Sequence, residues 1–155
     1  MKFAAAAAFA AMSASSLSAQ TVAPAPAVPD FTYAIPLAGT WAYASTGGGA
    51  TFLSASAMPQ LTIRCDRTTR RVFISKPATA AVPFLNVWTG SAARGVPASF
   101  DPATARLTIQ LAATDPLLDA LAFSHGRFAV YVPGSPALVL PAWPEVARVI
   151  EDCRA

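Results

Sequence analysis

Hydrophobic and polar positions change period several times along this chain, and each period predicts an element. From Gln60 to Asp66 the pattern alternates strictly. Leu61, Ile63 and Cys65 share one face, and Thr62, Arg64 and Asp66 share the other, the period of a half-buried β-strand. The polar run Arg67-Thr68-Thr69-Arg70 reads as a turn, and Arg71 to Lys76 answers with Val72 and Ile74 inward, which makes the clearest hairpin in the chain. Thr40–Ala44, with Trp41 and Tyr43 two residues apart, reads as a strand, as does Ala50–Leu53 beyond the Thr46-Gly47-Gly48-Gly49 turn. Phe84–Thr89, Arg106–Leu111, Phe128–Val132 and Leu138–Leu140 are further strands by the same rule.

The period lengthens in two places. Asp115-Pro116 is a helix start, an acid at the N-cap followed by proline in the first turn. Leu117, Leu118, Leu121 and Ala122 follow at helical spacing, with Gly126 as a stop. Beyond Pro141 and Pro144, the residues Val146, Val149, Ile150 and Cys153 recur at i, i+3, i+4 and i+7, one continuous apolar stripe. The predicted class is mainly β: an antiparallel sheet or small β-sandwich, with a short helix near 116–124 and a C-terminal helix near 144–152.

The amino-terminal pattern is of another kind. Lys2 precedes an unbroken apolar run from Phe3 to Met12, and small polar residues from Ser13 to Ala19 close it. That is the three-part layout of a secretory signal. Small residues allow cleavage after Ser18 or after Ala19; the second leaves Gln20 as the new terminus and sets the leader at residues 1–19. The run falls short of the roughly 20 apolar residues a membrane span needs. The expectation is therefore an exported protein, periplasmic or secreted, with no transmembrane segment in the mature chain. Residues 20–36 carry Pro24, Pro26, Pro29 and Pro36 and read as an extended linker, because proline fixes φ and donates no backbone hydrogen bond. Residues 37–155 read as a single domain.

Composition narrows the function classes. The chain has 155 residues, 54% of them apolar and 12% charged, which excludes wholesale disorder. A net charge of +3 is too weak for a nucleic-acid binder, which concentrates positive charge. No P-loop, dinucleotide fingerprint, G-x-S-x-G or H-E-x-x-H is present, so no cofactor or metal is expected. His125 is the only histidine and falls at the end of the first predicted helix, where the dipole favours a cation. The acids read as caps, turn formers and a solvated helix face.

Three constellations remain. Cys65 and Cys153 both continue apolar faces, and an exported protein meets an oxidising compartment. A disulfide between them would close most of the domain into one loop, worth about 4–5 kcal/mol in the chain-entropy model. Arg64, Arg67, Arg70, Arg71 and Lys76 crowd one hairpin. This basic edge could dock an anionic partner, either another envelope protein or an anionic envelope surface, or charge could simply keep an edge strand unpaired. Trp41 and Trp88 could stack a ligand, or belong to the core as aromatics at strand spacing usually do. Trp143, between two prolines, is placed to act as a staple at the entry of the last helix.

Trp41, the strand Leu61-Thr62-Ile63-Arg64-Cys65-Asp66, the stretch Asp115-Pro116-Leu117-Leu118-Asp119-Ala120 with Gly126-Arg127-Phe128, and the closing segment Trp143 to Arg154 resemble a family of small exported proteins of Gram-negative bacteria. That resemblance carries no assigned activity. A looser one, in the Trp-led strand, the Leu-x-Ile-Arg-Cys strand and the terminal helix ending in Cys, is to the VasI-type accessory protein of type VI secretion. It implies an accessory role in the envelope and brings no catalytic residues. The expected function is a non-enzymatic binding or accessory module; a small periplasmic hydrolase or hydrolase inhibitor is the alternative.

Overall fold

The computed structural model describes residues 28–155; the leader and the first part of the linker lie outside the described residues. Nine strands and two helices follow in order. They are β1 (Gly39–Ala44), β2 (Gly49–Ser54), β3 (Pro59–Asp66), β4 (Arg71–Pro77), β5 (Phe84–Trp88), β6 (Ala93–Asp101), β7 (Arg106–Ala112), α1 (Pro116–Ala122), β8 (Arg127–Tyr131), β9 (Leu138–Pro141) and α2 (Pro144–Arg154). All strand pairs are antiparallel, in the order β1-β2-β3-β4-β7-β6-β5-β8-β9. The sheet is single and curls into a half-barrel.

Of the two expected β architectures, the sandwich does not form, and β6 is the reason. Its first half pairs with β5 and its second half with β7, which joins the two strand groups edge to edge instead of face to face. Pro97 sits where the partner changes, a position that suits a residue without an N–H. The sequence pattern does not announce β6. It carries Gly95 and Pro97, and only Val96 is buried, so no alternation is written into it.

The concave face holds the main core. Phe52, Leu61, Ile63, Ile74, Leu107 and Ile109 are fully buried there with Leu118 and Leu121 of α1 and Ile150 of α2. Asp115 caps α1 by accepting from the Leu117 N–H at 2.9 Å, as the sequence indicated. α2 lies against β3 and α1, with Val146, Val149, Ile150 and Cys153 buried. Its last buried residue is bonded to the sheet. Cys65 and Cys153 form a disulfide with Cα atoms 5.4 Å apart, closing 88 residues. Gly48 helps set the strand for it. With φ at +57°, Gly48 ends a short 3-10 turn and presents its carbonyl to the Cys65 N–H at 2.8 Å, a left-handed conformation that suits glycine.

A second, smaller cluster forms on the convex side. Trp88, Ala129, Tyr131 and Val139 are buried beneath Phe31 and Ala34. The Phe31 ring meets Trp88 edge-on at 5.6 Å and Tyr131 at 5.3 Å, and the Arg127 guanidinium donates to the Ala34 carbonyl. The described part of the linker is thus not a free spacer. It does not run straight: Asp30 accepts from Thr32 and the Ala34 N–H donates to the Phe31 carbonyl, a turn that sets Phe31, one aromatic among the prolines, against the sheet. Leu37 then donates to Val139 of β9 at 2.8 Å, so the chain crosses the β9 edge on its way into β1. Trp143 is no staple: it occupies the N-cap of α2 itself and stays 42% exposed, one position too late to fold back on the first turn.

Replacing both cysteines by serine is expected to lower the unfolding free energy in denaturant titration by about 4–5 kcal/mol. A loss below about 1 kcal/mol would show that α2 is held without the bond. Phe31→Ala, which uncovers the convex cluster, is expected to cost about 2 kcal/mol and to shift Trp88 fluorescence to the red.

Candidate functional site

α2 packs into the concave side against β1 to β4, with α1 beside it, and fills that part with apolar side chains. Trp41 is buried at its edge. Its ring meets Phe52 at 5.4 Å and Phe128 at 6.3 Å, and its indole N–H donates to the Pro141 carbonyl at 2.9 Å. Trp88 lies on the other side of the sheet beneath Phe31. The two tryptophans therefore share no face, and each is covered by protein. They form no stacking platform. His125 is exposed, beyond the end of α1.

The basic hairpin divides. Arg67, Arg70 and Arg71 stand at its turn end. Arg64 projects outward from mid-β3 and lays its guanidinium over Phe73 of β4, 5.4 Å from the ring centre. Lys76 does not join them. It shares the parity of Val72 and Ile74, at the far end of β4 and about 16 Å from Arg71 by strand rise. Its ammonium donates to the Pro77 carbonyl at 3.0 Å, and burial lowers its pKa. Five positions that are near in sequence are split by strand alternation and strand length.

Asp66 organises the turn. Its carboxylate accepts from the N–H groups of Thr68 at 3.0 Å and Thr69 at 3.3 Å. Hydrogen bonds from Thr69, through side chain and backbone, hold its pKa below the usual carboxylate value. Arg70 closes the turn with φ at +50°, accepts from the Ala113 N–H at 3.0 Å, and donates from its guanidinium to the Arg154 carbonyl at the end of α2.

That last contact brings in a residue the sequence pattern did not single out. Arg154 donates from Nε to the Ala113 carbonyl at 2.8 Å and from Nη1 to Asp119 of α1 at 2.7 Å. It follows Cys153 directly, so the disulfide carries it to the hairpin. The signal available in the sequence was the cysteine pairing itself: whatever links Cys65 to Cys153 must also bring Arg154 beside the turn that follows Cys65. Thr69, Arg70, Arg71, Ala113, Thr114 and Arg154 surround an open cleft of about 320 Å³. A different cluster borders it. Asp152 accepts from the Tyr43 hydroxyl, lies 3.9 Å from Arg67, and the Arg148 guanidinium covers the Tyr43 ring at 4.4 Å. The hydrogen bond to Asp152 raises the Tyr43 pKa.

Among the described residues no group of three or more His, Cys, Asp or Glu is placed to hold a metal ion, and no helix is long and apolar enough to cross a membrane. Comparison with protein-family models, curated proteins and solved structures finds no match for this chain.

Because the Asp66 pKa is depressed on folding, its contribution to stability is present above the unfolded-state value of about 3.9 and fades as pH falls through the folded value. Asp66→Asn is therefore expected to be less stable than the parent at pH 7, with the difference shrinking below about pH 4. A difference that stays constant down to pH 2, followed by thermal unfolding, would remove the carboxylate from the turn's support.

Proposed function

We propose that this protein is an exported, non-enzymatic binding module of the cell envelope, docking to an anionic partner through the turn end of the β3–β4 hairpin. The observation that carries the reading is the gathering of Arg67, Arg70, Arg71 and Arg154 where the hairpin turn meets the end of α2. The neighbouring carboxylates are already engaged: Asp66 with the turn, Asp119 with Arg154, Asp152 with Tyr43 and Arg67. Guanidinium donors in excess of their acidic partners suit a surface that meets negative charge.

Export is supported by the leader pattern and by a buried disulfide, which persists in oxidising compartments; the periplasm is the compartment this favours. The rigid, filled concave face supports a scaffold that presents a surface. An accessory role like that implied by the VasI-type resemblance is compatible with such a scaffold.

The full chain, exported through its own leader and purified oxidised, is expected to be retained by anionic envelope components at low salt and released as salt rises, since exposed charges are screened within about 10 Å at 0.1 M. The variant R64Q/R67Q/R71Q is expected to lose most of that retention while keeping the parent's melting temperature within a few degrees. Equal recovery from envelope extract by parent and variant would remove the docking role.

A further inference from the structure

We propose that the cleft between the β3–β4 turn, the end of β7 and the end of α2 is an oxyanion site that takes a phosphoryl group, with Arg70, Arg71 and Arg154 as its donors. The proposal rests on the docking reading above and names the chemistry of the ligand.

Three separate pieces of chain build the cleft, and specific bonds hold them in place. The turn is tied to the end of β7 by Ala113 N–H to Arg70 carbonyl, and α2 is tied to both through Arg154 and the bond from Arg70 to the Arg154 carbonyl. One residue earlier, the disulfide fixes the helix end to β3. The Arg70 and Arg154 guanidiniums are thus positioned by backbone contacts and a covalent bridge, so a ligand would find those two already in place, while the exposed Arg71 closes on it from the start of β4.

Their donors are only partly used. A guanidinium carries five N–H groups. Arg70 commits one contact, to the Arg154 carbonyl. Arg154 commits Nε and Nη1, and its charge is matched on one side by Asp119. The Arg71 guanidinium makes no hydrogen bond or ion pair with the described residues; only its backbone is engaged, in the sheet and with Cys153. Asp66 stands opposite Arg71 in the β3–β4 register, yet its carboxylate faces the N–H groups of Thr68 and Thr69. Cations held side by side with spare donors repel one another, and an oxyanion in the cleft relieves that repulsion. Thr114 adds a hydroxyl at the rim.

The arrangement favours a phosphoryl group over a carboxylate. A carboxylate offers two oxygens in one plane and is satisfied by a single guanidinium fork. A phosphoryl group offers oxygens in several directions, which suits donors arriving from three elements. The volume of about 320 Å³ also leaves room for the group that bears the phosphate. The same chemistry is found in a lipid headgroup and in a soluble phosphate, and the two sources call for separate arms of one experiment.

The oxidised full-length chain would be titrated with inorganic phosphate against a chloride control at constant ionic strength, following backbone amide resonances. Saturable shifts centred on Thr69–Arg71, Ala113–Thr114 and Arg154 are expected. Arg71→Gln and Arg154→Gln should each weaken binding about tenfold or more, the scale of a lost charge-assisted hydrogen bond, whereas Lys76→Gln, of equal charge change on the far end of β4, should leave it unaltered. Arg71→Gln removes no side-chain hydrogen bond or ion pair among the described residues, so its effect is read on a folded protein even if Arg154→Gln is destabilised. In the second arm, vesicles of phosphatidylglycerol in phosphatidylcholine are compared with phosphatidylcholine alone. Retention that inorganic phosphate competes away identifies a headgroup as the source; phosphate binding without vesicle retention identifies a soluble phosphate; both support the site. Phosphate shifts unaffected by Arg71→Gln and Arg154→Gln overturn it. So does an absence of saturable phosphate binding when anionic retention still depends on Arg64 and Arg67, an outcome that leaves the docking reading standing. Absence of both kinds of binding overturns the two together.

Discussion

The packing of α2 into the hollow of the curled sheet, with its last buried residue bonded to β3, is the constraint on which the rest of the molecule depends. A curled single sheet leaves its concave face open to water unless something fills it. Here the filling comes from one helix stripe, Val146, Val149, Ile150 and Cys153, supported by α1. An 11-residue helix would be marginal alone; burial and the Cys65–Cys153 bridge make it part of the core. Because the bridge closes 88 residues, it restricts most of the unfolded domain, and it locks together two segments, β3 and α2, that also pack against each other.

The sheet's convex side is divided by the same curl. Over β2, β3, β4 and β7 it is polar, with Thr51 and Thr62 hydroxyls 3.2 Å apart and Arg106 reaching Thr62 and the Ser75 carbonyl. Over β5, β8 and β9 it is apolar, and the chain covers it with its own Phe31 segment. One sheet therefore presents a wetted half and a covered half. The wetted half ends in the arginine-rich turn, so the charged end of the molecule projects from the part of the fold that the Cys65–Cys153 bridge braces.

That rigidity gives the basic end its meaning. Arginines scattered on mobile loops would each pair with whatever lay nearby and contribute little. Here the Ala113 and Arg154 carbonyls receive donors from Arg154 and Arg70, which holds those two guanidiniums in fixed relation to one another. The interior offers no comparable cluster of polar side chains: its hollow is occupied by aliphatic and aromatic groups. A presenting surface, with the hollow serving only stability, is the reading consistent with both observations.

What the sequence alone determined is what depends on near neighbours. Alternation at Leu61, Ile63 and Cys65 set the inward face of β3, and Asp115-Pro116 set the start of α1, because a strand's pleat and a helix's first turn are fixed by residues a few positions apart. The pairing of two inward-facing cysteines followed from the same logic together with the oxidising environment expected of an exported chain. Tertiary structure decided whatever depends on which strand lies beside which. β6, with glycine and proline and one buried side chain, became a strand only because β5 and β7 each offered it an edge. Trp41 and Trp88 were parted onto opposite faces, and Lys76 was parted from the arginines, by strand parity acting across a curled sheet. Arg154 entered the basic site only through the fold: a charge ending a helix far along the chain has no local reason to stand beside a hairpin turn until a covalent bond puts it there.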